Sequence, residues 1–260
     1  MSLPAGSQSD TLVILTGASR GLGHAVAAQY LAEDAFVLGL SRSLSTELKP
    51  TPAGGLAQWA ADLSEPLPVA ARLGAWLADF EAHAGGRLPA RVRMIHNAAL
   101  LSEPGDLAGT DPADLARSLR IGLEAPVALT AVFLRATAHW ATSDRRVLFV
   151  SSGLGRRPMA GNAAYCAQKA GLDHFARALA LEEAARPHGA RVASVAPGIV
   201  DTDMQKQLRG ADAARFPEQA TFAGFHRSGA LDSPTTAAAK LIALLERDDY
   251  GANPVTDVRS

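Results

Sequence analysis

Tyr165 and Lys169 stand four residues apart within residues 163–185, an alanine-rich stretch that predicts a helix. On a helix, that spacing projects both side chains from one face. An ammonium beside a phenol favours the phenolate and lowers its pKa from about 10, which makes Tyr165 an acid or base usable near neutrality. Ser152 follows a short apolar run, residues 147–150, and offers a hydroxyl to hydrogen-bond a substrate oxygen. By itself a Tyr and a Lys one helical turn apart describe an ordinary helix surface. They acquire chemical meaning only beside a site that binds a reactant.

Such a site is suggested by Thr16-Gly17-Ala18-Ser19-Arg20-Gly21-Leu22-Gly23, placed where a β-branched run, residues 11–16, hands over to a helical pattern. Gly17 permits a tight turn. Gly21 lets the backbone approach a pyrophosphate, and Gly23 lets the helix sit close to the strand. The helix N-terminus adds free N–H groups and a positive dipole end, so Ser19, Arg20, Gly21 and Leu22 become candidate phosphate contacts. The next strand ends at Ser41-Arg42. An acidic residue at that point would accept the ribose 2′-hydroxyl of NAD, whereas an arginine accommodates a 2′-phosphate. With Arg20 nearby and no carboxylate in that place, the expected cofactor is NADP(H). His96 reads as a packed or cofactor-adjacent residue. Cys166 has no His and Asp/Asn partners that would make it a nucleophile.

The elements that must hold these residues alternate along the whole chain. Strands are expected at residues 11–16, 36–40, 56–63, 92–95, 147–150 and 192–195. Helices are expected at 22–31, 70–84, 115–121, 127–138, 163–185 and 235–245, with Pro126 starting or kinking its helix. Alternation of this kind predicts an α/β fold, a single-domain, Rossmann-type, doubly wound parallel sheet with helices on both faces and ligands at the carboxyl ends of the strands. One domain is expected over residues 1–260, with a flexible segment at about 1–10 and residues 49–55 as a surface loop. Residues 203–232 interrupt the sheet pattern and carry Phe216, Phe222 and Phe225, which with Met159 and Met204 read as an apolar lid over the substrate or as a small satellite core of a helical insertion.

Composition narrows the function. Of 260 residues, 25 are Lys or Arg and 26 Asp or Glu, giving a formal charge of −1, so no basic excess points to nucleic acid. The single cysteine excludes an internal disulfide. The histidines are scattered, and no metal is expected. The absence of a long apolar run or leader-like segment gives the expectation of a soluble, cytoplasmic protein that makes no use of a membrane.

The glycine loop, Asn97-Ala98, Ser151-Ser152-Gly153, Tyr165-Cys166-Ala167-Gln168-Lys169 and the run Pro197 to Met204 resemble the short-chain dehydrogenase/reductase family, in family order and with the tyrosine thirteen positions after the serine. The second half is similar to the bacterial benzil reductase and sepiapterin-reductase-like branch. The resemblance implies that Tyr165 protonates a carbonyl, Ser152 polarises it, and Lys169 binds the nicotinamide ribose and tunes Tyr165. It implies that Asp62 and Leu63 contact adenine and that Asn97, Ala98 and Ala99 line the cofactor. Pro197, Gly198, Ile199 and Thr202 would hold its nicotinamide end. The implied activity is NADPH-dependent reduction of a ketone, a vicinal diketone or pterin-like carbonyl included. The alternatives are an NADP-dependent alcohol dehydrogenase and a catalytically weak NADP(H) sensor. A homodimer or homotetramer is implied as well. This chain departs from the family pattern at Ala99, where glycine is usual, and at Gly122, where the family carries an asparagine that holds a proton-relaying water.

Overall fold

The six residues of β1 (Thr11–Thr16) and of β2 (Phe36–Ser41) are all buried, as strands covered on both faces must be. The computed structural model describes residues 9–83 and 87–259. The segment expected to be flexible at 1–10 therefore lies mostly outside the described residues.

Five more strands join them: β3 (Gly55–Ala60), β4 (Arg91–His96), β5 (Asp144–Val150), β6 (Arg191–Ala196) and β7 (Val255–Asp257). All pair parallel in the order β3-β2-β1-β4-β5-β6-β7. Side-chain alternation sends Leu12 and Ile14 to one face, beneath α2 (Pro66–His83), α4 (Ala125–Ala136) and α5 (Ala163–Ala184). Val13 and Leu15 go to the other face, beneath α1 (Gly21–Ala32) and α8 (Pro234–Leu245). All four are fully buried, each contributing roughly 1.5–3 kcal/mol. Between β1 and β4 the strand order reverses, and that is where a doubly wound sheet leaves its crevice.

Several boundaries differ from those read in the sequence. β3 stops at Ala60, and Ala61, Asp62 and Leu63 leave the sheet at its carboxyl edge. α2 starts at Pro66, because proline is tolerated in a helix's first turn. The helix expected at 115–121 is α3 (Pro112–Leu119), capped by the Asp111 carboxylate accepting from Ala113 N. A π-turn (Arg120–Glu124) joins it to α4, whose first turn holds Pro126. β7 is only three residues long. β5 begins at Asp144 because Arg145 and Arg146, though charged, are buried.

That burial depends on an ionic network below the amino ends of the strands. Arg93 is completely buried and donates to Glu246 (2.6 and 2.8 Å) and to Asp144 (3.1 Å); the Tyr30 hydroxyl donates to Glu246 (2.8 Å). Burial alone would raise the Glu246 carboxyl, but Arg93 outweighs it and holds the group below its ordinary range. Asp144 is likewise lowered against its own burial, by Arg191, Arg93 and Arg146. Both carboxylates therefore stabilise the fold fully above their unfolded pKa of about 4. That stability is lost as acid titrates them through their lower folded values. Glu246→Ala should reduce stability by about 2–3 kcal/mol in urea unfolding at neutral pH, since it leaves the buried guanidinium with Asp144 as its one carboxylate partner and frees the Tyr30 hydroxyl. An unchanged midpoint would contradict this role.

Candidate active site

The turn after β1 shows why its glycines are where they are. Gly17 has φ +72°, and Gly21 φ +56°, both in the left-handed region. A β-carbon at Gly23 would collide with the Gly17 carbonyl oxygen and Asn97 Nδ2, so only glycine lets α1 approach the strand this closely. Asn97 welds the exits of β1 and β4. Its backbone N–H and that of Ala98 donate to Thr16 Oγ1 (3.0 Å each), and its Nδ2 donates to the carbonyls of Thr16 (3.1 Å) and Gly17 (3.2 Å).

A cavity of about 790 Å³ opens here, at the carboxyl ends of the strands. Ser19, Arg20, Gly21 and Leu22 form one part of its wall, beside Gly17. Arg20 is the N-cap of α1 and supplies no side-chain cap, leaving the first-turn N–H groups facing the cavity without one. Ser41, Arg42, Asp62 and Leu63 line the same end. Arg42 is exposed, while the buried Ser41 hydroxyl has no hydrogen-bond partner among the described residues. Arg20 reaches Asp203 (3.3 Å) across the cavity in an exposed pair. The Asp62 carboxylate is engaged by the N–H (2.9 Å) and hydroxyl (2.8 Å) of Ser64, which hold its pKa down with help from Arg42. Asn97, Ala98 and Ala99 line the middle. Pro197, Gly198, Ile199 and Thr202 close the far side, with Gly198 at φ +82°. Gly23 is the one glycine of the loop that packs behind the wall.

Ser152, Tyr165 and Lys169 come together on that wall. β5 delivers Ser152, whose Oγ accepts from Leu154 N (3.2 Å). The first turn of α5 carries Tyr165, and the next carries Lys169. Lys169 Nζ donates to the Val150 carbonyl (2.7 Å) and lies 5.6 Å from the Tyr165 ring centre. The lowered phenol pKa expected from Lys169 is not found. Burial pushes Tyr165 up to about 12, opposed by a hydrogen bond with Ser152. The ammonium is turned to a backbone carbonyl, and burial brings Lys169 down to about 8, opposed by Asp173. At neutral pH the site therefore presents a protonated phenol, a proton donor beside a hydroxyl and a cation. That is the arrangement a developing alkoxide needs.

Asp173 received no role from the sequence, although it lies one turn beyond Lys169 on the same helix face. It is buried and accepts from Ser151 Oγ (2.6 Å), Ser194 Oγ (2.7 Å) and Arg156 (3.3 Å). The expected lid divides. Phe222, Phe225, Met159 and Met204 face the cavity, whereas Phe216 is fully buried behind them in a small apolar core. Helices α6 (Asp203–Arg209) and α7 (Gln219–Arg227) carry these walls. His96 is packed against Phe149 (5.0 Å, 9°), with Nε2 paired to Thr130 Oγ1 (2.8 Å); burial pushes it down to about 3. It stays uncharged and off the cavity wall.

The model for short-chain dehydrogenases matches residues 11–213, which carry the glycine loop, Ser152, Tyr165 and Lys169. The chain belongs to the short-chain dehydrogenase/reductase family. Members are oxidoreductases that bind a nicotinamide cofactor. A benzil reductase, (S)-benzoin forming, of Bacillus cereus is 31% identical over 247 residues, covering 92% of this chain and 95% of that protein. Sepiapterin reductase of Bos taurus is 33% identical over 261 residues, covering 94% and 93%. A short-chain dehydrogenase/reductase structure from Burkholderia vietnamiensis superimposes with TM-score 0.63 at 36% identity, covering 96% and 99%. Of the two departures from the family pattern, Gly122 is the one at which the structure shows what stands in place of a side chain. Gly122 lies in the π-turn, and the amide of Gln168 fills the volume a side chain at 122 would need. Among the described residues, no helix is long and apolar enough to cross a membrane, and no three His, Cys, Asp or Glu side chains gather as for a metal.

Proposed function

We propose that the protein is an NADPH-dependent carbonyl reductase acting on a ketone with an apolar, aromatic flank, a vicinal diketone in the first instance. The observation that carries this reading is the convergence of Ser152, Tyr165 and Lys169 on the cavity whose other end presents Arg42 and the glycine loop. The loop fits a dinucleotide on its own geometry. A β-carbon at Gly21 would meet only the Thr202 methyl, at 3.6 Å, so the backbone there is open to a phosphate. The unpartnered Ser41 hydroxyl and the exposed Arg42 suit an adenosine ribose carrying a 2′-phosphate. When bound, the nicotinamide supplies the hydride.

The chain's own side chains do the rest. Ser152 donates to the substrate oxygen and fixes its direction. Tyr165 gives that oxygen its proton. Lys169 holds positive charge beside the phenol and is the candidate for the nicotinamide ribose. Met159, Met204, Phe222 and Phe225 present an apolar wall that suits an aryl group and excludes water. The benzil reductases among the relatives favour a carbonyl flanked by a second one.

The test is NADPH oxidation against a panel of vicinal diketones, quinones, pterins and aromatic aldehydes, run beside the reverse reaction with NADP⁺ and alcohols. Faster reduction of diketones is expected. Tight NADPH binding with no turnover in either direction would contradict the reading. The pH profile follows from Lys169: its cation is present below about 8 and lost above it. Reductive kcat/KM should fall as pH rises through that value, because this ratio reports the free enzyme. A flat profile from about pH 6.5 to 9.5, roughly one and a half units on either side of that midpoint, would remove Lys169 from the reaction.

A further inference from the structure

Gln168 sits between the two chemical residues of α5, three positions after Tyr165 and immediately before Lys169, and it is fully buried. Its Nε2 donates to the Leu100 carbonyl (3.1 Å) and to Ser118 Oγ (2.9 Å), and Ser118 Oγ donates to the same Leu100 carbonyl (2.8 Å). Leu100 lines the cavity, and Ser118 lies on α3. The other half of the amide points at the π-turn. Oε1 has no hydrogen-bond partner among the described residues, and it lies with Cδ in the space that a β-carbon at Gly122 would occupy. One side chain thus joins α5, the segment after β4, α3 and the π-turn.

The joint is not built for stability alone. A buried acceptor without a partner costs about 1–3 kcal/mol, which an apolar side chain of equal volume would not incur. What an apolar side chain would lack is direction, because two hydrogen bonds fix the amide and the empty notch at Gly122 admits it in one place. We propose that Gln168, seated in the notch of Gly122, is a positioning residue that holds the π-turn and the Leu100 segment in register with the helix carrying Tyr165 and Lys169. This rests on the carbonyl-reductase reading, in which Tyr165 and Lys169 carry out the proton chemistry.

Four variants test it, Gln168→Ala alone being the reference for the double variant. Gln168→Met keeps the volume and removes both Nε2 bonds. Gly122→Ala forces the amide out of the notch. Gly122→Ala/Gln168→Ala restores room for the new methyl. Diketone turnover should fall about 10- to 100-fold in Gln168→Met and in Gly122→Ala, the cost of misplacing groups by about an ångström, with NADPH affinity and KM nearly unchanged. The double variant should be no worse than Gln168→Ala alone, because both changes break one contact.

A second readout needs no turnover. The ultraviolet titration of Tyr165, taken as the difference between each protein and its Tyr165→Phe counterpart, should shift in Gln168→Met. The charged and titratable groups facing that phenol and its lysine, namely Asp173, Cys166 and Arg156, are the same in both. Wild-type kcat with an unmoved titration in Gln168→Met would overturn the proposal, as would strictly additive losses in the double variant. A parent protein that binds NADPH but reduces no carbonyl defeats the reductase reading instead, and the titration then decides this inference alone.

Discussion

In Tyr165→Phe, carbonyl reduction falls by about a thousandfold or more while NADPH affinity stays within about threefold. The substitution removes one oxygen and leaves the ring in its apolar setting beside Leu101, Met159 and Phe222. What is lost is the proton that must reach the substrate oxygen as it becomes an alkoxide. With the phenol pushed up to about 12, Tyr165 is protonated throughout the neutral range, so nearly every molecule carries the donor. Neither Ser152, whose hydroxyl is committed to orienting the oxygen, nor Lys169, turned to the Val150 carbonyl, stands in its place. Single-turnover absorbance of NADPH after mixing with a diketone measures the step directly. Substantial residual turnover would remove Tyr165 from proton delivery.

In Arg42→Asp, NADPH affinity falls by about a hundredfold or more, while NADH affinity changes by less than about threefold. A guanidinium at the end of β2 gives charge-assisted hydrogen bonds to a 2′-phosphate, and a carboxylate there both removes them and repels the phosphate. NADH has no phosphate to lose. Arg20 does not compensate fully, because its guanidinium is shared with Asp203 on the opposite wall. Fluorescence titration with both nucleotides at low and physiological salt separates the outcomes, since an exposed arginine's contribution is screened. Equal losses for the two nucleotides would take Arg42 out of cofactor selection.

Much of the fold was legible because its signals are local. The apolar runs of β1 and β2, the glycine pattern after β1 and the spacing of Tyr165 and Lys169 each lie within one or two elements, and period alone places them. The parallel sheet and the gathering of Ser152, Tyr165 and Lys169 beside the loop follow from alternation of strand and helix, whereas the order of the strands had no local signal. The short β7 gave no such signal, because three residues carry no period.

Properties that depend on burial were hidden. The phenol of Tyr165 was expected to be lowered by its lysine, but desolvation decides its pKa, and that depends on Met159 and on the helices at 203–227 packing over it. Nothing local marked Arg93 as buried; its partners Asp144 and Glu246 lie 51 and 153 positions along the chain, too far for any window to pair. Gln168 passed as part of a motif, since its notch at Gly122 lies forty-six positions away. Phe216 and Phe222 read alike, but Phe216, in the segment before α7, is buried behind the wall and Phe222, on α7, lies on it.

The most direct test of the account follows the hydride itself. NADPH deuterated at the transferable position of its nicotinamide is incubated with benzil and the protein, and the product is examined by mass spectrometry and proton NMR. The expected result is one deuterium on the newly formed carbinol carbon of benzoin, absent when Tyr165→Phe replaces the parent. Benzil recovered unreduced beside tightly bound, unconsumed NADPH would contradict the claim that this cavity is a carbonyl reductase.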